Sequence, residues 1–106
     1  MMDKDYAYIS DLGAQLPQIV PDSIISRTFF QEGKTKAILF AFAAGQELSE
    51  HTAAVPAMLH FLQGEADLTL GGEAQKAQPG TWVYMKPQLP HSVHAKTDVV
   101  MLLYML

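Results

Sequence analysis

The sequence predicts an all-β fold: an antiparallel sandwich or barrel behind a short N-terminal arm. Three observations carry this. From residue 23 onward no segment repeats apolar residues at helical spacing. Short stretches rich in β-branched and aromatic residues follow one another, with a turn signal about every ten residues. Glycine and proline punctuate them at Gly33, Gly45, Gly64, Gly71-Gly72 and Pro79-Gly80.

Residues 1–22 hold Pro17 and Pro21 and read as an arm, with one short helical turn near Asp11–Gln15. Residues 23–106 read as the barrel. SIISRTFFQ (23–31) is a strand, QEGK (31–34) a turn, and AILFAFAAG (37–45) a strand closed by Gly45. Residues 46–52 are extended and 53–56 form a loop. AMLHFLQG (57–64) is a strand ending at Gly64. DLTL (67–70) and EAQKAQ (73–78) flank Gly71-Gly72, a two-residue hairpin signal. TWVYMK (81–86), HSVHA (91–95) and VVMLLYML (99–106) complete the series.

AILFAFAA and VVMLLYML lack polar alternation, so both faces of these strands need cover. One face lines the interior. The other must meet a second sheet, the arm or another subunit, and a homodimer is the expectation.

Composition narrows the partners. Apolar residues make up 49% of the 106 and charged residues 17%, a globular balance. The formal charge is −4 and the seven basic residues are scattered, which argues against nucleic acid. The absence of cysteine excludes disulfides and thiolate chemistry. MMDKDYAYISD lacks the apolar core of a signal peptide, and the eight residues of VVMLLYML are too few to span a bilayer. No membrane partner and a cytoplasmic location are expected. No serine sits in a Gly-x-Ser-x-Gly elbow. Gly71-Gly72 precedes no helix and is not a phosphate loop.

Two spacings stand out. Gly45, QELSE and His51 are followed by Ala53, Ala57 and, after MLHFLQ, Gly64. Gly80, TWVYM, Lys86-Pro87, Gln88, His91 and Ala95 form the second, with fifteen residues between Gly64 and Gly80. Together they resemble the paired motifs of small single-domain cupins over residues 24–106. The first family motif runs Gly, His, His, Glu, Gly. The second runs Gly, Pro, Gly, His, Asn. His51 and His91 fall on histidine positions. Ala53 falls on the second histidine, Ala57 on the glutamate, Gln88 on a glycine and Ala95 on the asparagine.

The resemblance implies a double-stranded β-helix of jelly-roll type, a fold that hosts isomerases, dioxygenases, storage proteins and sensors. It also implies a metal site of three histidines and a carboxylate holding Fe, Mn, Ni, Cu or Zn, of which only His51 and His91 remain. Two imidazoles bind a metal weakly unless water or a chelating substrate completes the shell.

Three functions follow. The first is a small-molecule binding barrel, with or without a metal, whose pocket is formed by His51, Ala53, Ala57, Leu59, His91, Phe42 and Met101. The second is a dioxygenase- or isomerase-type enzyme with a two-His site. The third is a structural or partner-binding barrel whose interior is filled by residues such as Phe42, Leu59 and Met101.

Strand parity places further residues. It puts residues 51 and 53 on one face and adds Glu47 if 47–51 is a regular strand. It turns His60 away from Ala57, and His94 away from His91, so both are surface or interface histidines. Trp82, Tyr84 and the methionines Met58, Met85, Met101 and Met105 are packing or interface residues before they are a pocket.

Overall fold

The computed structural model describes residues 5–106. The first four residues of the arm lie outside them. A short 3-10 turn at Leu12–Gln15 is capped by Asp11, whose carboxylate accepts from the Gly13 N–H at 3.0 Å. Nine strands follow: β1 Ile24–Glu32, β2 Thr35–Phe42, β3 Glu47–His51, β4 Ala57–Gln63, β5 Ala66–Leu70, β6 Glu73–Ala77, β7 Trp82–Met85, β8 His91–Ala95 and β9 Val99–Met105. Every pairing is antiparallel. The strands form a five-stranded sheet in the order β1-β2-β9-β4-β7 and a four-stranded sheet in the order β3-β8-β5-β6. This is the double-stranded β-helix. No helix among the described residues is long and apolar enough to cross a membrane.

Turn chemistry sets the connections. The β5–β6 hairpin turns at Gly71 and Gly72, both at positive φ (57° and 86°), as a type I′ turn requires. Val20-Pro21-Asp22-Ser23 leads from the arm into β1. Pro21 presets one central position, Asp22 takes φ 61° at the next, and the Ser23 N–H donates to the Val20 carbonyl at 3.2 Å.

The main core lies between the sheets. Phe42, Leu59, Phe61, Met101, Val93 and Leu68 anchor it. The second apolar cluster sits on the outer face of the five-stranded sheet, where Leu39, Val100 and Leu102 are buried under Leu12, Leu16 and Ile19 of the arm. Here the arm covers the second face of β2 and β9, one of the covers their unbroken apolar runs demand.

Candidate functional site at the barrel mouth

His51 ends β3 and His91 begins β8, and the two are direct cross-strand partners. A β-bulge between Leu48 and His51 makes the pairing possible: Leu48 faces Val93 and His51 faces His91, so β3 spends one residue more than β8 between the two pairs. The extra residue reverses the parity of the strand. Leu48 and His51 therefore share the inner face, while Glu47 pairs with the exposed His94 on the outside. The regular-strand expectation for Glu47 is corrected by this bulge.

The two imidazoles lie 4.2 Å apart, centroid to centroid, at 56°. Their environments differ. His91 is 6% exposed, whereas His51 is open to solvent. Each ring is oriented by the same device: Nδ1 lies 2.8 Å from the carbonyl two residues earlier, Ser49 for His51 and Leu89 for His91. A carbonyl only accepts, so Nδ1–H donates in both rings. In the neutral imidazole this leaves the Nε2 lone pair as an acceptor. Neither Nε2 has a hydrogen-bond partner among the described residues, and none of their buried side-chain nitrogens or oxygens lacks one. The Nε2 of His91 is thus within reach of solvent.

The loop of residues 86–90 delivers His91. The Gln88 N–H donates to the Ala53 carbonyl at 2.7 Å, the Gly71 N–H to the Pro90 carbonyl at 2.8 Å, and the Leu89 N–H to the Lys86 carbonyl at 3.4 Å. Gln88 adopts φ 68°, a conformation that favours glycine. On the other flank of His91, Leu70 is its direct partner across β5. The inner-face row at this end is therefore His51, His91, Leu70.

The remaining expected pocket residues divide. Ala53 lies beyond β3, half-buried in the following loop. Ala57, Leu59, Phe42 and Met101 are buried in the core between the sheets. Ala57 has Met85 and Met105 as cross-strand partners on its two sides. His60 is half-buried on the outer face of the five-stranded sheet, and His94 is exposed on the outside of the other. Leu70 and Leu89 were not anticipated at the mouth. The Gly71-Gly72 turn was the available signal for Leu70, since it ends β5 at the residue that pairs with His91.

The donor set does not fit the metal centre that the fold family implies. Two imidazoles are present, alanine stands at the two other ligand positions, and no group of three or more His, Cys, Asp or Glu among the described residues is placed to hold a metal ion.

The family model of the cupin domain matches residues 38–106. The chain belongs to the cupin family. No curated protein matches it. Among solved structures, this cupin is similar to a conserved protein of unknown function from Streptococcus pyogenes. That protein is 28% identical, over 99% of this chain and 91% of the other, with a TM-score of 0.83. It is also similar to a cupin superfamily protein from Desulfitobacterium hafniense, 25% identical over 88% and 85% of the two chains, with a TM-score of 0.82. Salicylate 1,2-dioxygenase from Pseudoaminobacter salicylatoxidans shares the fold alone, at 15% identity and a TM-score of 0.74, over 89% of this cupin and 28% of the enzyme.

Proposed function

We propose that this cupin binds a small, partly apolar molecule at the barrel mouth, held by hydroxyl or N–H groups that donate to the Nε2 atoms of His51 and His91. The observation that carries the reading is the matched orientation of the two rings, each with Nδ1–H spent on a backbone carbonyl at 2.8 Å. Leu70 and Leu89 supply apolar surface beside His91. The core beneath is packed with Phe42, Leu59 and Met101, which keeps the ligand at the mouth. An acceptor pair on a partly apolar floor is the usual composition of a small-molecule site.

The test is a screen of phenols, aromatic alcohols and polyols against the protein labelled with 15N at histidine. Binders should shift the Nε2 resonances of both His51 and His91 and lose affinity in His51→Ala and His91→Ala. A panel of Fe, Mn, Ni, Cu and Zn is run in parallel on untagged protein. Tight, stoichiometric uptake that depends on both histidines would replace this reading with the metal-dependent one. Binders that leave both histidines unmoved would place the site elsewhere.

A further inference from the structure

The outer face of the five-stranded sheet carries an apolar cavity, separated by the core from the histidine pair. It has a volume of about 510 Å³ and opens between residues 7–12 of the arm and the β1-β2-β9 end of the sheet. The sequence of β1 builds its wall. In a regular strand, neighbouring side chains point to opposite faces. A β-bulge breaks that rule here: Thr28 pairs with Ile38 and Phe30 with Ala37, so Phe29 is the extra residue. Both phenylalanines thereby serve the arm side. Phe29 packs against the cluster of Leu39, Val100 and Leu102, and Phe29 and Phe30 both line the cavity. Tyr104 adds a third ring from β9.

Two alanines keep the space open. Ala37 lies between its direct partners Phe30 and Tyr104, and Ala7 lines the cavity from the arm. Two residues further along β2, the same face presents Leu39, which the arm buries under Leu12, Leu16 and Ile19. The arm therefore seals the middle of the sheet and leaves a hollow at this end. Its roof is lightly held. Ala7 and Ile9 are exposed, and neither makes a hydrogen bond with a described residue. This stretch opens without breaking one, as the entrance of a site must.

We propose that this cavity binds a neutral, flat, apolar molecule of two or three fused rings that carries one polar group. Size sets the scale: an apolar cavity of roughly 150 Å³ takes benzene, and this one is about three times larger. The lining sets the shape. Phe29, Phe30 and Tyr104 offer ring faces and edges against which a further ring stacks. Charge sets the class. The chain carries a net charge of −4, yet no Asp, Glu, Lys, Arg or His among the described residues lines the cavity. An ion would lose its hydration there and gain no counter-charge. Thr35 and Tyr104 bring two hydroxyls to the wall, and neither has a hydrogen-bond partner among the described residues. They are the partners for the single polar group.

The probe is 1-aminoanthracene, a neutral three-ring fluorophore whose amine is the polar group. Titrated into the full chain, it should bind saturably at one equivalent, with brighter, blue-shifted emission. The methyl resonances of Ala7, Ile9 and Ala37 should shift. The Nε2 resonances of His51 and His91 should not, which separates this site from the one at the barrel mouth. Ala37→Phe fills the cavity from the sheet and Ala7→Phe from the arm, and each should weaken binding by about tenfold or more. Ala7 is exposed, so its variant makes the test without risk to the core. Titration without saturation, indifference to both substitutions, or histidine shifts in place of the methyl shifts overturns the proposal. So does binding that appears only when residues 1–4 are removed, which gives the cavity to the chain's own terminus. Binding lost as protein concentration rises overturns it in favour of a second copy.

Discussion

The backbone N–H of Gln88 donates to the carbonyl of Ala53 at 2.7 Å, tying the loop after the first histidine to the loop before the second. Gln88 makes this bond from φ 68°, where a side chain costs about 1–2 kcal/mol. Gln88→Gly retains the N–H and removes the strain, at the price of about 0.5–1 kcal/mol of extra chain entropy. The expected net effect is stabilisation by about 0.5–1 kcal/mol, read as a higher denaturation midpoint with unchanged slope. Gln88→Pro loses both the N–H and the conformation and should cost about 3 kcal/mol or more.

The two histidines should separate in stability. His91 is buried and spends its Nδ1–H on Leu89, so His91→Ala is expected to cost about 1–3 kcal/mol. His51 is exposed, and His51→Ala should change stability by less than about 0.5 kcal/mol. Urea unfolding of both variants checks the split. Equal losses would contradict the asymmetric burial of the pair.

Gly64 is required for a close approach as well as for its φ of 84°. A Cβ there would lie 2.0 Å from the Asp98 carbonyl oxygen, which is backbone and cannot swing aside. The same loop is pinned by the Glu65 N–H donating to the Thr97 hydroxyl at 3.0 Å, and by the Ala44 N–H donating to the Asp98 carboxylate at 3.0 Å. Gly72 has a similar φ of 86° but open space around it. Gly64→Ala should therefore cost more than about 3 kcal/mol, and Gly72→Ala only about 1 kcal/mol. Thermal melts of the two variants make the comparison.

The arm should behave as part of the core. Leu39→Ala empties the centre of the cluster beneath it and should cost about 2–5 kcal/mol. Deleting residues 1–19 bares Leu39, Val100 and Leu102 together, and binding of an apolar dye should rise sharply while the far-ultraviolet β signal persists.

The ion pair of Lys76 with Asp67 spans 3.4 Å with both side chains well exposed. Lys76→Met should shift stability by less than about 0.5 kcal/mol, with the same result at low and high salt.

Much of the fold is legible because its turns are written in residue types. Gly71-Gly72 names a hairpin and sets its register. The unbroken runs in β2 and β9 state that both faces are covered. What covers the second face is not legible, because Leu12, Leu16 and Ile19 lie in a segment with no periodicity of its own. At the site, the resemblance to the paired family motifs brings His51 and His91 together, while the parity argument for Glu47 fails at a bulge that no glycine announces. Gln88 is instructive in the other direction. It falls on a glycine of the family motif and adopts φ 68°, a conformation that favours glycine.

The position of β9 has a consequence for synthesis. The ninth strand lies in the middle of its sheet, between β2 and β4, which are not hydrogen-bonded to each other. Until the ribosome has delivered Val99–Met105, the nascent chain holds two apolar strands with open edges and nothing to join them. Folding therefore waits for the last strand and closes a loop spanning nearly the whole barrel, a slow step by the topology of the fold. During that wait the chain is most exposed to chaperones and to its own neighbours.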